Sequence, residues 1–250
     1  MGWKPLKGET AVITGGSGGI GSATALELAR AGADVVIGYK EGRDRAEETA
    51  KRCRDAGADA RVVRMDMSDR ASVEQAIRSV CSLRSPSILV HAAGISRPGL
   101  VQDVTDREYD EMMDVHVRSA FHLVQAVLPG MLRVKRGRII LVTSIWGETG
   151  GSGEVLYSAA KGAQIGMVKA LGKELAPSGI TVNAVSPGAI STPMLDGQLP
   201  FEDQRALAEE IPAGRLGRPD EVASLIRYLC LPEASYITGQ ILRVNGGWYT

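Results

Sequence analysis

Short apolar runs alternate with longer stretches of helical periodicity along this chain. The first run, Thr10–Thr14 (TAVIT), is continuous, rich in β-branched residues and closed by Gly15. That pattern predicts a buried strand. Residues 20–31 then place Ile20, Ala23, Leu26, Leu28 and Ala29 on one helical face, with Gly32 as the stop. The rhythm repeats. Strands are predicted at 34–38, 61–65, 87–90, 138–142, 180–185 and 241–244, and helices at 43–56, 69–83, 106–134 and 155–176. Ser68 and Thr105 are the expected N-caps of the 69–83 and 106–134 helices, because a hydroxyl there can accept from the free amides of a first turn. Strands separated by helices mean βαβ units and a parallel sheet covered on both faces. Right-handed crossovers then leave a doubly wound α/β sheet of about seven strands as the natural topology.

One segment breaks the rhythm. Residues 187–219 hold Pro187, Pro193, Pro200, Pro212 and Pro219 and one evident helix, at 202–210. An insertion after a strand, at the carboxyl edge of a parallel sheet, is where a lid over a ligand sits. No linker or repeat divides the chain, so one domain over residues 1–250 is expected, with the lid as its appendage.

Composition narrows the classes. The 250 residues are 44% hydrophobic and 23% charged, enough for a core and unlike a disordered chain. Lys and Arg number 29 and so do Asp and Glu, so no global basic field exists to hold nucleic acid or an anionic membrane. Cys53, Cys81 and Cys230 are scattered, and His91, His116 and His122 have no ligand spacing, so neither a disulfide framework nor a metal site is expected. Residues 1–7 lack the apolar core of a leader, and no run approaches the ~18 apolar residues that cross a bilayer. A cytoplasmic protein with free thiols is the expectation.

Thr14–Gly21 (TGGSGGIG) lies between the first strand and first helix. Glycines there permit a tight turn and close approach of backbone amides to a pyrophosphate, which the helix start then faces. Gly15, Ser17, Gly18, Gly19, Ile20 and Gly21 are therefore candidate cofactor ligands. At the end of the second strand an NAD site usually carries a carboxylate for the ribose 2′-hydroxyl. Here that position is Tyr39, followed by Lys40 and Arg43, which suits the 2′-phosphate of NADP. Glu41 leaves NAD open as the lesser alternative, and both cations could equally be solvated loop charges.

Tyr157 and Lys161 are four apart on a predicted helix and share a face, and Ser144 ends the fifth strand. Reduction of a ketone by hydride builds negative charge on oxygen, which an acid must protonate. A lysine ammonium near a tyrosine lowers its pKa, and a serine hydroxyl can hold the oxygen. Singly, each residue is as readily a turn hydroxyl or a surface charge.

Taken together, TGGSGGIG, Asp66 after the third strand, Ala93-Gly94, Ser144, Tyr157-Ser158-Ala159-Ala160-Lys161, Asn183, Pro187-Gly188 and Thr192 resemble the short-chain dehydrogenase/reductase family over nearly the whole chain. The resemblance implies a single-domain Rossmann fold, a nicotinamide cofactor and usually a homotetramer. It implies Tyr157 as acid/base, Lys161 on the nicotinamide ribose, and Ser144 on the substrate carbonyl. It also implies Asp66 and Met67 at the adenine, Ala93 and Gly94 in the cofactor groove, and Pro187, Gly188, Ile190 and Thr192 around the carboxamide. Two positions depart from the family. Its Asn-Asn-Ala-Gly is His91-Ala92-Ala93-Gly94 here, which should affect strand packing. Its relay asparagine is His116, a candidate catalytic residue that keeps the backbone carbonyl while offering an imidazole instead.

Residues 214–219 and 237–247 resemble bacterial 3-oxoacyl-[acyl-carrier-protein] reductases. Ser144-Ile145-Trp146-Gly147 with Gly153-Glu154-Val155-Leu156-Tyr157 resembles reductases of the 5-aminopentanone modification on elongation factor P. In that likeness Trp146 and Glu154 touch substrate; packing and a helix-start carboxylate are the plainer alternatives. The expected activity is NADPH-dependent reduction of a small-molecule or carrier-bound ketone. An acyl carrier protein is a possible partner, and Arg133, Lys135, Arg136 and Arg138 are a basic patch that would receive it near the entrance. An NAD-dependent alcohol dehydrogenase and a non-catalytic cofactor sensor are the rivals.

Overall fold

The structure, a computed structural model, describes residues 4–250, so the first three residues read for a leader lie outside it. The strands are β1 (Thr10–Thr14), β2 (Asp34–Tyr39), β3 (Ala60–Arg64), β4 (Ile88–His91), β5 (Gly137–Val142), β6 (Ile180–Pro187) and β7 (Ile241–Val244). They form one parallel sheet in the order β3-β2-β1-β4-β5-β6-β7. The order reverses beside β1, and the crevice at the carboxyl ends of β1 and β4 is where such sheets bind ligands. Side chains of a strand alternate between faces, so Ala11 and Ile13 enter one core and Val12 the other.

Helices α1 (Gly19–Arg30) and α2 (Arg43–Asp55) cover the first face. The helix α3 (Arg70–Leu83) covers the second. The predicted 106–134 helix is three pieces: α4 (Asp106–Met113), a π-helical turn at Asp114–Arg118, and α5 (Ser119–Val134). Then come the single turn α6 (Trp146–Thr149) and the long α7 (Val155–Leu175), followed by α8 (Pro193–Asp196) and α9 (Phe201–Glu210) within the proline-rich segment, and α10 (Pro219–Cys230) against α1.

The expected strands and long helices stand within one or two residues of their predicted places. Thr105 caps α4 through a full capping box with Glu108. Ser68 does not cap α3. Asp69 does, accepting from the Ala71 amide at 2.9 Å, while the Ser68 hydroxyl turns back to Asp66 at 2.7 Å. No helix among the described residues is long and apolar enough to cross a membrane, and none of their His, Cys, Asp and Glu side chains cluster as a metal would need.

Candidate active site

Several glycines of the loop from β1 into α1 have no room for a Cβ. One on Gly15 (φ +69°) would stand 2.7 Å from the Ala93 Cα, one on Gly19 2.7 Å from the Thr192 methyl, and one on Gly21 inside the Gly15 carbonyl. Gly18 caps α1 without any side-chain partner, so the first amides of the helix stay available to an anion. Gly15, Ser17, Gly18, Gly19, Ile20, Gly21, Lys40, Met67, Ala93, Gly94 and Thr192 all line one cleft of about 460 Å³. A backbone cradle that glycines alone can form, opening into an elongated cleft, fits a dinucleotide.

Other expected residues stand around this cleft rather than in it. Partial burial works against the Asp66 charge, but hydrogen bonds from the Ser68 hydroxyl and amide, and Lys40 at 3.2 Å, hold its carboxyl below the usual range. Tyr39 packs against the core, and Arg43 is exposed outside the cleft. Lys40, Arg45 and Arg97 are the cations that line it, and the last two were not among the expected residues. Gly42, at φ +72°, turns the chain so that the Arg45 guanidinium folds back over it, 2.6 Å from where a Cβ would be. The signal in the sequence was Gly42 itself, a residue that permits a left-handed turn, just before a predicted helix. Glu41 lines the cleft too, and its carbonyl accepts from Ser17 at 3.1 Å. Pro187 ends β6, and its carbonyl accepts from the Ile145 amide at 3.1 Å, tying the Ser144 turn to the sheet. Gly188 leaves room for Asn245, and the Ile190 side chain is buried in the core.

Ser144 leaves β5 nearly buried, and its hydroxyl accepts from the Trp146 amide at 3.2 Å. Tyr157 and Lys161 come off successive turns of α7. The Lys161 Nζ lies 5.3 Å from the tyrosine ring centroid and donates to the Val142 carbonyl at 2.8 Å. Gly147 permits the close approach of α6, since a Cβ there would meet Lys161 at 2.8 Å. The three expected residues are thus brought together. Their electrostatics differ from expectation. Burial pushes the Tyr157 phenol up to about 12, a hydrogen bond with Ser144 pulls it partway back, and Glu154 pushes it further up. Lys161 does not depress it; burial instead brings the lysine itself down to about 7. The tyrosine therefore holds its proton at neutral pH, as a donor must.

His116 sits fully buried in the π turn, edge-on to the Tyr157 ring with centroids 5.5 Å apart. Its carbonyl accepts from the Gln164 side chain at 2.7 Å. Burial first, then Lys161, holds the imidazole well below its usual pKa. His91, buried at the end of β4, is brought down to about 3 by the same two causes.

Glu154 receives the Ser96 hydroxyl at 2.9 and 3.1 Å and makes no capping bond to α7. The Gly99 amide donates to the Gly153 carbonyl at 2.8 Å, so the 95–104 and 150–154 loops are joined. Trp146 meets Trp248 edge to face at 5.3 Å. The basic patch is misplaced as an entrance. Arg138 is buried at the start of β5, and Arg136 pairs with Glu9 at 2.6 Å, both at the amino edge, opposite the cleft.

A parallel sheet with a glycine cradle at its switch point, and a Ser, Tyr and Lys converging beside it, defines an NAD(P)-dependent oxidoreductase. The family model described as enoyl-(acyl carrier protein) reductase matches residues 15–249. The chain is 46% identical over 242 residues to an uncharacterized oxidoreductase of Bacillus subtilis, YmfI, covering 96% of this chain and 99% of that one. It is 39% identical over 246 residues to the 3-oxoacyl-[acyl-carrier-protein] reductase FabG of Vibrio cholerae, covering 98% of each. Among solved structures, a putative NAD(P)-dependent gluconate 5-dehydrogenase from Beutenbergia cavernae with bound NADP superposes with a TM-score of 0.93, at 32% identity and 99% coverage of both chains. The chain belongs to the short-chain dehydrogenase/reductase family.

Proposed function

We propose that this protein is an NADPH-dependent ketoreductase of the 3-oxoacyl-[acyl-carrier-protein] type. The observation that carries the reading is the convergence of Ser144 at the end of β5 with Tyr157 and Lys161 of α7, the Lys161 Nζ lying 5.3 Å from the tyrosine ring centroid. Bound NADPH supplies hydride. Tyr157 gives its proton to the carbonyl oxygen as charge builds there, Ser144 orients that oxygen, and Lys161 lies on the far side of the ring to restore the proton. Gly15 to Gly21 hold the pyrophosphate. Met67 and Asp66 frame the adenine, Ala93 and Gly94 line the groove, and the main chain at 187–192 meets the carboxamide. Arg45 and Lys40 bordering the cleft support NADP over NAD. The segment at 187–219 acts as the lid, with Thr192 resting on the glycine loop. The three free cysteines suit the cytoplasm, and the family's usual homotetramer is the expected assembly.

A second reading is favoured by one feature. A half-buried carboxylate, Glu154, next to Trp146 and three residues before Tyr157 would receive the ammonium of an aminoketone, as on a modified elongation factor P. Purified protein with NADPH or NADH and a 3-oxoacyl thioester, followed at 340 nm beside Tyr157→Phe, tests both. NADPH oxidation lost in the variant supports the first reading. Tight NADPH binding with turnover only of a primary-amine ketone selects the second. Binding of neither cofactor refutes both.

A further inference from the structure

The two histidines that stand where the family resemblance expects asparagine are linked through the backbone they hold. Thr14 Oγ1 accepts from the Ala93 amide at 3.1 Å and lies 2.9 Å from His91 Nδ1. His91 Nε2 faces Ser119 Oγ at 3.5 Å, and Ser119 gives its own proton to the Val115 carbonyl at 2.6 Å. Ser119 can therefore only accept from the ring, which puts the proton on Nε2 and leaves Nδ1 to accept from Thr14. One directed chain therefore runs from the cofactor loop, through β1 and β4, to the π turn. His116 closes the circuit from the other side. Its Nε2 lies 2.8 Å from the Ile95 carbonyl and 3.1 Å from the Ile95 amide; a proton on Nε2 has the carbonyl to receive it, whereas one on Nδ1 would have no acceptor. Its Nδ1 is buried without a partner. Gly94 makes room for the ring, since a Cβ there would stand 2.6 Å from His116 Cε1. The π turn supplies the extra residue that lets this imidazole reach both the loop and the Tyr157 ring.

We propose that His91 and His116 act as a pair of neutral positioning residues that lock the Asp114–Arg118 turn to the 93–95 loop, and so set the place of the Tyr157 ring against the cofactor. The proposal rests on the reading of Tyr157 as proton donor. The ionisable groups facing the pair are Tyr157 and Lys161 of α7 and each other, and burial with the Lys161 charge disfavours an imidazolium at either position.

Side-chain geometry provides a discriminating substitution. A glutamine amide reaches about as far as a histidine Nε2, and an asparagine amide only as far as Nδ1. His116→Gln should keep the Ile95 bond and stay near the native kcat. His116→Asn should lose about tenfold to a hundredfold in kcat with little change in KM for NADPH, as a displaced reacting group does. Thr14→Val, which cuts the His91 end of the chain, should lower kcat in the same direction. The double variant Thr14→Val/His116→Asn should lose less than the product of the two singles. A native kcat in His116→Asn, an equal loss in His116→Gln, or strictly multiplicative losses would overturn the proposal. Imidazole nitrogen NMR gives a readout without turnover. The chain has three histidines, so assignment by substitution is direct. His91 and His116 should both be neutral and Nε2-protonated from pH 6 to 8; a proton on Nδ1 of His91, or titration of either ring in that range, overturns it. Tyr157→Phe runs as the control for the underlying reading: full turnover there sinks the proton-donor assignment, whereas the NMR result still judges the hydrogen-bond chain.

Discussion

Replacing Lys161 by methionine separates what the buried ammonium costs the fold from what it does in catalysis. Burial brings this lysine from its ordinary 10.5 down to about 7. Below pH 7 the folded and unfolded chains both carry the proton, and the fold bears the full penalty of burying it. Between about 7 and 10.5 the folded chain releases a proton that the unfolded chain keeps, so stability rises with pH; above 10.5 the penalty is gone. At ~1.4 kcal/mol per pKa unit, the penalty at neutral pH is about 4–5 kcal/mol. Methionine removes it but also removes the 2.8 Å bond to the Val142 carbonyl. An orphaned buried carbonyl costs ~1–3 kcal/mol. Lys161→Met should therefore be more stable than the native protein by ~1–4 kcal/mol at pH 6–7, with the advantage gone or inverted by pH 10. Urea unfolding of both proteins at steps from pH 6 to 10 measures this, and the native curve should gain on the variant by ~1.4 kcal/mol per pH unit above 7. A difference that does not change with pH would refute the reasoning. The stabilised variant should be at least ~100-fold slower, which is the usual exchange of stability for a strained site.

Arg45→Ala should raise KM for NADPH about tenfold and leave that for NADH unchanged, since a charge-assisted phosphate contact is lost; steady-state kinetics with both cofactors decides it. Gly21→Ala drives a Cβ into the Gly15 carbonyl, so cofactor titration by fluorescence should show binding abolished, with a lower Tm. Asp69→Ala removes the α3 cap at 2.9 Å and should cost about 1 kcal/mol in urea unfolding, with kcat unchanged.

The elements legible in the sequence were those whose signal is local. Thr10–Thr14 is a strand because five consecutive buried side chains leave no other choice, and Thr105 with Glu108 is a cap because both partners lie within one turn. The grouping of Ser144, Tyr157 and Lys161 was legible because they come from one strand end and one helix face. What escaped depends on contacts distant in the chain. Arg45 reaches the cleft only because Gly42 reverses the backbone. The π turn has no periodicity of its own; it is held by His91 through Ser119, by Ile95 and by Gln164, from other parts of the chain. The depressed Lys161 and raised Tyr157 follow from burial, which no spacing of residues reports. The α10 helix had local signs, Pro219 at its start and Glu221, whose carboxylate accepts from the Arg218 amide at 2.8 Å, but the prolines before it masked them.

The ends of the proposed lid meet. The Ser191 amide donates to the Gly217 carbonyl at 2.9 Å, the Gly217 amide to the Ala189 carbonyl at 2.9 Å, and Ile190 bridges Gly217. The excursion between them is a closed ring whose two feet are bolted together, so its length and content can change without moving β6 or α10. Closing a longer excursion costs little, roughly 0.6 kcal/mol per doubling of length. Residues 195–216, beyond the three that line the cofactor cleft, are thus an exchangeable cassette: the machinery that moves hydride and proton can stay constant while a grafted segment from a relative delivers a different ketone to it.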